Sequence, residues 1–211
     1  MDLARTTERH AWKRICDIIF GGVILIFLVP VLLIIGLLIK ITSLGPMLFL
    51  QQRVGLAGKP FMIIKFRTMI PDAVEHGLGI RTSLHDPRIT PLGKFLREFH
   101  LDELPQLLNV LKGDMSLVGP RPTIPSQVDT YTSFEMRRLE VRPGITGLAQ
   151  ISGNNELPWE ERIELDVFYV DNLSFWLDLK ILFRTIGTVV TRKGVYGKDG
   201  MVHDKEKSLV R

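Results

Sequence analysis

The sequence predicts a mostly helical α+β fold: a re-entrant helix-break-helix membrane hairpin, then a small cytoplasmic domain with a short β-hairpin and amphipathic interfacial helices. Three observations lead there. Residues 18–39, IIFGGVILIFLVPVLLIIGLLI, carry no charge and hold Pro30 near their middle. Residues 47–69 form two short apolar runs, MLFLQQRVG and FMIIKFRTM, around the turn-forming LAGKP. Much of the remainder places apolar residues three and four apart behind recognisable helix caps.

Composition narrows the function classes. A chain of 211 residues, 45% of them hydrophobic, suffices for one modest core plus an anchor. Its 27 Lys+Arg against 23 Asp+Glu give a net charge of only +4, with the basic residues spread among acids. That pattern suits anionic headgroups or phosphorylated small molecules and argues against a nucleic-acid duplex as partner. The single cysteine, Cys16, excludes an internal disulfide and any cysteine-based zinc site.

The uncharged run exceeds the roughly 7–15 residues of a secretory core segment, and Pro46 would follow a cut at Ser43-Leu44-Gly45, so it reads as retained. As a straight helix it would reach about 33 Å, enough for a hydrocarbon core of about 30 Å. Its flanks oppose a single crossing. Arg5, Arg9, Lys13 and Arg14 precede it, and Lys40, Arg53, Lys59, Lys65 and Arg67 follow it. Pro30 lacks the N–H for residue 26 and crowds that carbonyl, which predicts a break leaving halves of about 18 and 14 Å. Neither half crosses. A hairpin in one leaflet with both ends in the cytoplasm follows, against the alternative of a proline-kinked span.

Beyond the anchor, Lys65 and Arg67 alternate with Phe66 and share one face of the second strand. Residues 70–88, rich in turn formers and charge, read as a mobile loop. Thr90-Pro91 caps a short helix, PLGKFLREF. Asp102 then precedes the spacing Leu104, Leu107, Leu108, Leu111, with Pro105 in the first turn, which predicts a helix N-terminus there. One reading makes Asp102 an ordinary N-cap with Glu103 favoured by the helix dipole. The other makes the pair reactive: one carboxylate a nucleophile or metal ligand, the other an acid/base. Arg97 lies upstream and Arg121 sits in the stiff loop Gly119-Pro120-Arg121-Pro122. Carboxylates, arginines and Mg²⁺ together are suited to phosphoryl transfer.

Among the remaining segments, SQVDTYTSFEMRRLE reads as an amphipathic helix and RPGITGLAQISG as an extended loop. LPWEERIELDVFYVDNL is helical by spacing, and Ser174 caps FWLDLKILFRTIGTVVTR, which ends at Gly194. Phe175, Trp176, Leu179, Leu182 and Phe183 suit either a bilayer surface or a core. The tail from Val195 reads as loosely ordered. His10, His76, His85, His100 and His203 show no helical metal-ligand spacing.

The stretches KFRTM, LDELPQLLNVLKGDMSLVGPRP, RPGITGLAQISG and ELDVFYVDNLSFWLDLKIL resemble, in order and over most of the chain, the bacterial sugar transferase family of small monotopic phosphoglycosyltransferases. The resemblance implies three parts: residues 1–41 as an interfacial and re-entrant membrane helix broken at Pro30, 42–194 as the catalytic domain, and 195–211 as a polar tail. It implies transfer of sugar-1-phosphate from a UDP-sugar to undecaprenyl phosphate, releasing UMP, with Mg²⁺ as cofactor. It further implies a bacterial inner-membrane location, bound to phospholipids and facing the cytoplasm. In family terms Asp102 is the nucleophile and a metal ligand, and Glu103 is its catalytic partner. Arg97, Arg121 and Pro122 are implied to bind phosphates, with Lys65, Arg67 and Arg142 as further substrate contacts. Nucleic acid is not an expected partner. A homo-oligomer and association with downstream glycosyltransferases both stay open. Two positions depart from the family pattern: Val29 stands where a serine commonly precedes the proline, and Asn154 stands where many relatives have arginine. A membrane hydrolase using the same carboxylates and a silent scaffold remain rival classes.

Overall fold

The computed structural model describes residues 11–75, 82–192, 194–197 and 200–201. Arg5, Arg9, His10, His76 and His203 lie outside them, as do parts of the predicted loop and tail. Helix α1 (Ala11–Thr42) comes first, then the strands β1 (Leu48–Val54) and β2 (Pro60–Phe66) and helix α2 (Pro91–Glu98). A 3-10 turn over Leu101–Glu103 leads into α3 (Gln106–Lys112) and β3 (Ser116–Val118). Short helices α4 (Pro125–Val128) and α5 (Ser133–Met136) precede β4 (Gly144–Thr146), α6 (Leu148–Ser152), α7 (Trp159–Asp171) and α8 (Phe175–Thr191).

Helix α1 contains Pro30 and stays helical through it, so the expected division into two helices is absent. A proline removes one rung of the hydrogen-bond ladder, and the turns on either side hold the helical path. One stripe of this helix, Lys13, Asp17, Gly21, Ile35, Gly36 and Ile39, is buried. The N-terminal part packs on α3 and β3: Gly21 lies against Val110, Leu111 and Leu117. Arg14 donates to the carbonyls of Val110 (2.5 Å) and Leu111 (2.7 Å), satisfying groups at the end of α3. Lys13 pairs with Asp178 at 2.5 Å, and Asp17 accepts from the Ser116 hydroxyl and the Leu117 amide, both at 2.9 Å. Toward its C-terminus, Ile35 and Ile39 join Phe66 and Leu96 in a small apolar cluster. The opposite face is bare hydrocarbon, with Ile26 72%, Phe27 77% and Leu33 68% exposed.

β1 and β2 form the expected antiparallel hairpin, Leu48 facing Phe66 and Val54 facing Pro60. The main core holds Phe61 and Ile63 of β2, Leu107 and Val110 of α3, Leu117 and Val118 of β3, Tyr169 of α7 and Ile181 of α8. Each such apolar side chain contributes about 1.5–3 kcal/mol on burial. Buried Asn109 of α3 clips the open edge of β2: its Oδ1 accepts from the Ile64 amide at 3.0 Å and its Nδ2 donates to the Met62 carbonyl at 2.8 Å. This fixes the next residue, Lys65, against the turn that carries Glu103.

The stretch read as an extended loop, residues 142–153, contains β4 and α6. β4 runs parallel to β3, with Ser116 beside Gly144 and Val118 beside Thr146. The backbones are so close that a Cβ on Gly144 would stand 2.7 Å from the Gly119 carbonyl oxygen. The stretch read as one amphipathic helix, residues 126–140, is broken into α4, α5 and a 3-10 turn over Arg137–Glu140. Thr132 restarts it through a capping box with Glu135, which ends the preceding turn. Thr90 and Ser174 cap α2 and α8 as expected. Within the predicted mobile loop, Arg88 is buried on the Asp86 carboxylate (2.7 Å) and the Ala73 carbonyl (2.7 Å).

Asp17→Ala strips two buried donors of their acceptor, a loss of about 1–3 kcal/mol. Thermal unfolding of purified protein in detergent should show a midpoint lower by about 2–4 °C per kcal/mol lost. An unchanged midpoint would contradict the packing of α1 on β3.

Candidate active site

A cleft of about 580 Å³ opens between β2, the 3-10 turn, the loop after β3 and the residues following α8. Asp102 and Glu103 lie in the single 3-10 turn ahead of α3, so neither is the helix cap that the spacing suggested. The turn is entered through His100, a non-glycine residue in the left-handed region at φ 54°, which reverses the chain after α2.

The adjacent carboxylates differ sharply. Glu103 is buried, receives Lys65 Nζ on Oε1 at 2.7 Å, and takes the Arg121 guanidinium on both oxygens at 2.6 and 3.2 Å. Burial opposes its ionisation, but Arg121 and Lys65 outweigh this and hold its carboxyl well below the usual range. Asp102, half-buried at the cleft wall, makes no hydrogen bond or ion pair among the described residues. Burial first, and then the neighbouring Glu103 charge, push its pKa up to about 6 against the pull of Lys65, Arg97 and Arg121. Burial lowers Lys65, with Glu103 acting against it, and burial likewise lowers His100.

Arg97 projects from the last turn of α2 to the cleft, where its Nε donates to Thr68 Oγ1 at 2.8 Å. Its side chain has no other hydrogen bond among the described residues, so the remaining guanidinium N–H groups are available to an anion. Arg121 and Pro122 stand on a loop gripped from several sides. Gly119 N donates to Thr146 O (2.9 Å), Gly144 N to Pro120 O (2.9 Å), Val54 N to Thr123 O (2.9 Å) and Arg53 to Pro122 O (3.2 Å). Arg138, paired with Asp166 at 2.8 Å, adds a bond to the Arg121 carbonyl at 3.1 Å.

Two of the residues expected to bind substrate serve other ends here. Arg67 lines the cleft, yet its guanidinium is spent on the carbonyls of Ser43 and Leu44, fastening the connection after α1. Arg142 donates to the Gly113 carbonyl at 2.9 Å beyond the C-terminus of α3 and is not among the cleft residues. Asn154 bonds the Gly194 carbonyl at 2.9 Å. Sequence reasoning missed Thr68, which orients Arg97, and Arg138, which braces Arg121. Neither role is marked locally, although Thr68 lies within KFRTM, because each acts through a partner distant in the chain.

The arrangement is one unpaired, proton-hungry carboxylate in a cleft with arginines, on a protein with a long apolar helix. A perturbed carboxylate beside arginines in a cleft marks a candidate functional site. The chain is a member of the bacterial sugar transferase family, whose pattern matches residues 8–192. It is 45% identical to the uncharacterized sugar transferase EpsL of Bacillus subtilis over 87% of this chain and 89% of that one. It is also 45% identical to the UDP-glucose:undecaprenyl-phosphate glucose-1-phosphate transferase of Klebsiella pneumoniae, over 88% of this chain and 41% of the relative. Identity is 43% to a UDP-N-acetylgalactosamine-undecaprenyl-phosphate N-acetylgalactosaminephosphotransferase of Aeromonas hydrophila, over 86% of this chain and 44% of that protein. Thus the chain spans most of EpsL and less than half of the other two.

Asp102 holds its proton more tightly in the folded chain, about 6 against its ordinary 3.8. Its contribution to stability is therefore full below about pH 4 and is lost as pH rises through about 6. Asp102→Asn should stabilise the protein at pH 8 by at most about 3 kcal/mol and have little effect at pH 4. Equal shifts at both pH values would contradict this. Carboxyl NMR of metal-free protein should show Asp102 titrating near pH 6. Glu103→Gln should move that midpoint down, since it removes a negative neighbour and frees Lys65 and Arg121.

Proposed function

We propose that this protein transfers sugar-1-phosphate from a UDP-sugar to undecaprenyl phosphate, releasing UMP and leaving undecaprenyl diphosphate sugar, as a membrane step of bacterial glycoconjugate assembly. The observation that carries the reading is the unequal pair: Glu103 neutralised by Lys65 and Arg121, and Asp102 unpaired beside Arg97 in the same cleft. The activities for which the Klebsiella and Aeromonas relatives are named support it.

In this mechanism an Asp102 carboxylate oxygen attacks the phosphorus that bears the sugar. The P–O bond to the bridging oxygen breaks, and UMP leaves with that electron pair. A phosphosugar ester of Asp102 remains. A phosphate oxygen of undecaprenyl phosphate then attacks the same phosphorus and releases Asp102 as carboxylate. Arg97 offsets the charge that a carboxylate meets on approaching a diphosphate, and the Glu103 cluster holds Arg121 at the cleft. Covalent storage on the enzyme lets the soluble donor and lipid acceptor use the site in turn.

No group of three or more His, Cys, Asp or Glu converges to hold a metal among the described residues. Mg²⁺ commonly binds through one or two carboxylates plus substrate phosphates, and Asp102 at the cleft wall would supply the carboxylate. When bound, the ion would neutralise charge on the diphosphate.

For α1 we infer a monotopic placement in the cytoplasmic membrane. Both of its ends, at Lys13 and Asp17 and at Ile35 and Ile39, are buried against the one domain, while the other face is apolar and exposed. A helix crossing the bilayer would carry one end away from that domain. This supports a shallow anchor among phospholipids, with the cleft facing the cytoplasm at headgroup level.

UMP release by purified protein should require Mg²⁺, a UDP-sugar, undecaprenyl phosphate and Asp102. Arg97→Ala should lower kcat by about 10²–10³-fold. Release at full rate without lipid would identify a hydrolase instead, and activity surviving in Asp102→Asn would overturn the nucleophile. For the anchor, Ala11→Cys and Leu44→Cys, each in a Cys16→Ser background, should react with an impermeant maleimide in inverted vesicles and stay unlabelled in right-side-out cells. Labelling from opposite sides would establish a span.

A further inference from the structure

Among the described residues after α8, 194–197 and 200–201, both stretches are bound, against the expectation of a loose tail from Val195. At one end, the Gly194 carbonyl accepts from Asn154 Nδ2 at 2.9 Å and Asn155 Nδ2 at 3.1 Å, and Gly194 N donates to Glu156 Oε1 at 3.2 Å. Asn155 also bonds the Val195 carbonyl at 2.8 Å. Gly194 has φ 75°, and a Cβ there would stand 2.6 Å from the Gly153 carbonyl oxygen, so the seat requires glycine. At the other end, Leu84 N donates to Gly200 O at 2.8 Å and Ser83 bridges Met201. Between these moorings Val195 and Tyr196 form part of the cleft wall. Tyr196 is half-buried, and its hydroxyl has no partner among the described residues.

A line of contacts joins this strap to the phosphate end of the cleft. Arg121, on Glu103, is braced by Arg138, whose guanidinium lies 5.4 Å from the Trp159 ring centre. Arg162 lies 5.4 Å from the same ring centre and donates to Asn155 Oδ1 at 3.4 Å. Tyr196 thus stands at the far end of this line from the Asp102-Glu103 turn, in the same cleft. A nucleotide sugar whose diphosphate lies at Asp102 and Arg97 must extend one of its two flanking groups along such a wall.

We propose that Tyr196, seated by the Asn154-Asn155 clasp, is a specificity-determining residue that contacts the donor beyond its diphosphate. An aromatic ring with an unspent hydroxyl, in a cleft also lined by Asn155 and Arg162, can receive either uridine or a sugar. This rests on the UDP-sugar reading above.

The test uses the full chain in detergent, with UMP release and UDP-sugar binding measured on the wild type, Tyr196→Ala, Tyr196→Phe and Asn155→Ala. Tyr196→Ala and Asn155→Ala should raise donor KM about tenfold with kcat within about threefold, and should change the kcat/KM ratio between UDP-sugars. Tyr196→Phe separates ring from hydroxyl by how much of KM it restores. If uridine is the contact, inhibition by UMP weakens in step with KM; if the sugar is, UMP inhibition is unchanged while the ratio moves. Donor KM, the ratio and UMP inhibition all within about twofold of wild type in both Tyr196→Ala and Asn155→Ala would overturn the inference. If the wild type performs no transfer, the parent reading fails separately. UDP-sugar binding then decides the site: weaker in Tyr196→Ala upholds it, and equal binding overturns it.

Discussion

The ion cluster of Glu103 with Lys65 and Arg121 is the constraint around which the site is built. A buried carboxylate is costly unless its charge is matched and its lone pairs are filled, and here one cation comes from β2 and the other from the loop after β3. Their convergence requires the hairpin, the 3-10 turn and that loop to hold one mutual position. The fold supplies it through Asn109 on the edge of β2, the close parallel approach of β3 to β4, and Arg138 behind Arg121. With Glu103 satisfied, the preceding residue, Asp102, is left partly desolvated beside a fixed negative charge. That accounts for the raised pKa of Asp102. The site keeps one carboxylate neutralised and the other poised.

The apolar helix is joined to this machinery by polar groups. Lys13 meets Asp178, whose other oxygen accepts from the Tyr169 hydroxyl at 2.7 Å; that hydroxyl also lies 3.1 Å from the Val118 carbonyl oxygen. Asp17 holds Ser116 and Leu117 of the same strand. Burial pushes the Asp178 carboxyl up, with Lys13 pulling it back. The strand fastened to the anchor is the one that runs directly into the Arg121 loop. The apolar helix and the geometry of the cleft are therefore mechanically continuous, through hydrogen bonds that are expensive to leave unmade.

Features carried by neighbouring residues were legible in the chain. The hairpin follows from alternating apolar runs and LAGKP, the starts of α2 and α8 from Thr90-Pro91 and Ser174, and α7 from its spacing. The presence of Asp102, Glu103, Arg97 and Arg121 as a set was visible as types and order, and the structure lines one cleft with all four. Local chemistry misled at Pro30, where the flanking turns keep the helix whole, and at residues 126–140, where the Thr132 capping box divides a helical pattern.

By itself the sequence determined the kinds of groups available: an uncharged membrane-length segment, adjacent carboxylates, arginines in stiff settings and a family pattern. Only the tertiary structure decided how those groups are used. It gave Glu103 the cations and left Asp102 free. It turned Arg67 onto the connection after α1 and Arg142 onto the end of α3. It also drew residue 194 across to Asn154 and residue 200 to Leu84. The physical reason is that a charge's role depends on what lies within a few ångströms of it. For these residues the neighbours come from distant parts of the chain, brought together by packing that no local pattern encodes.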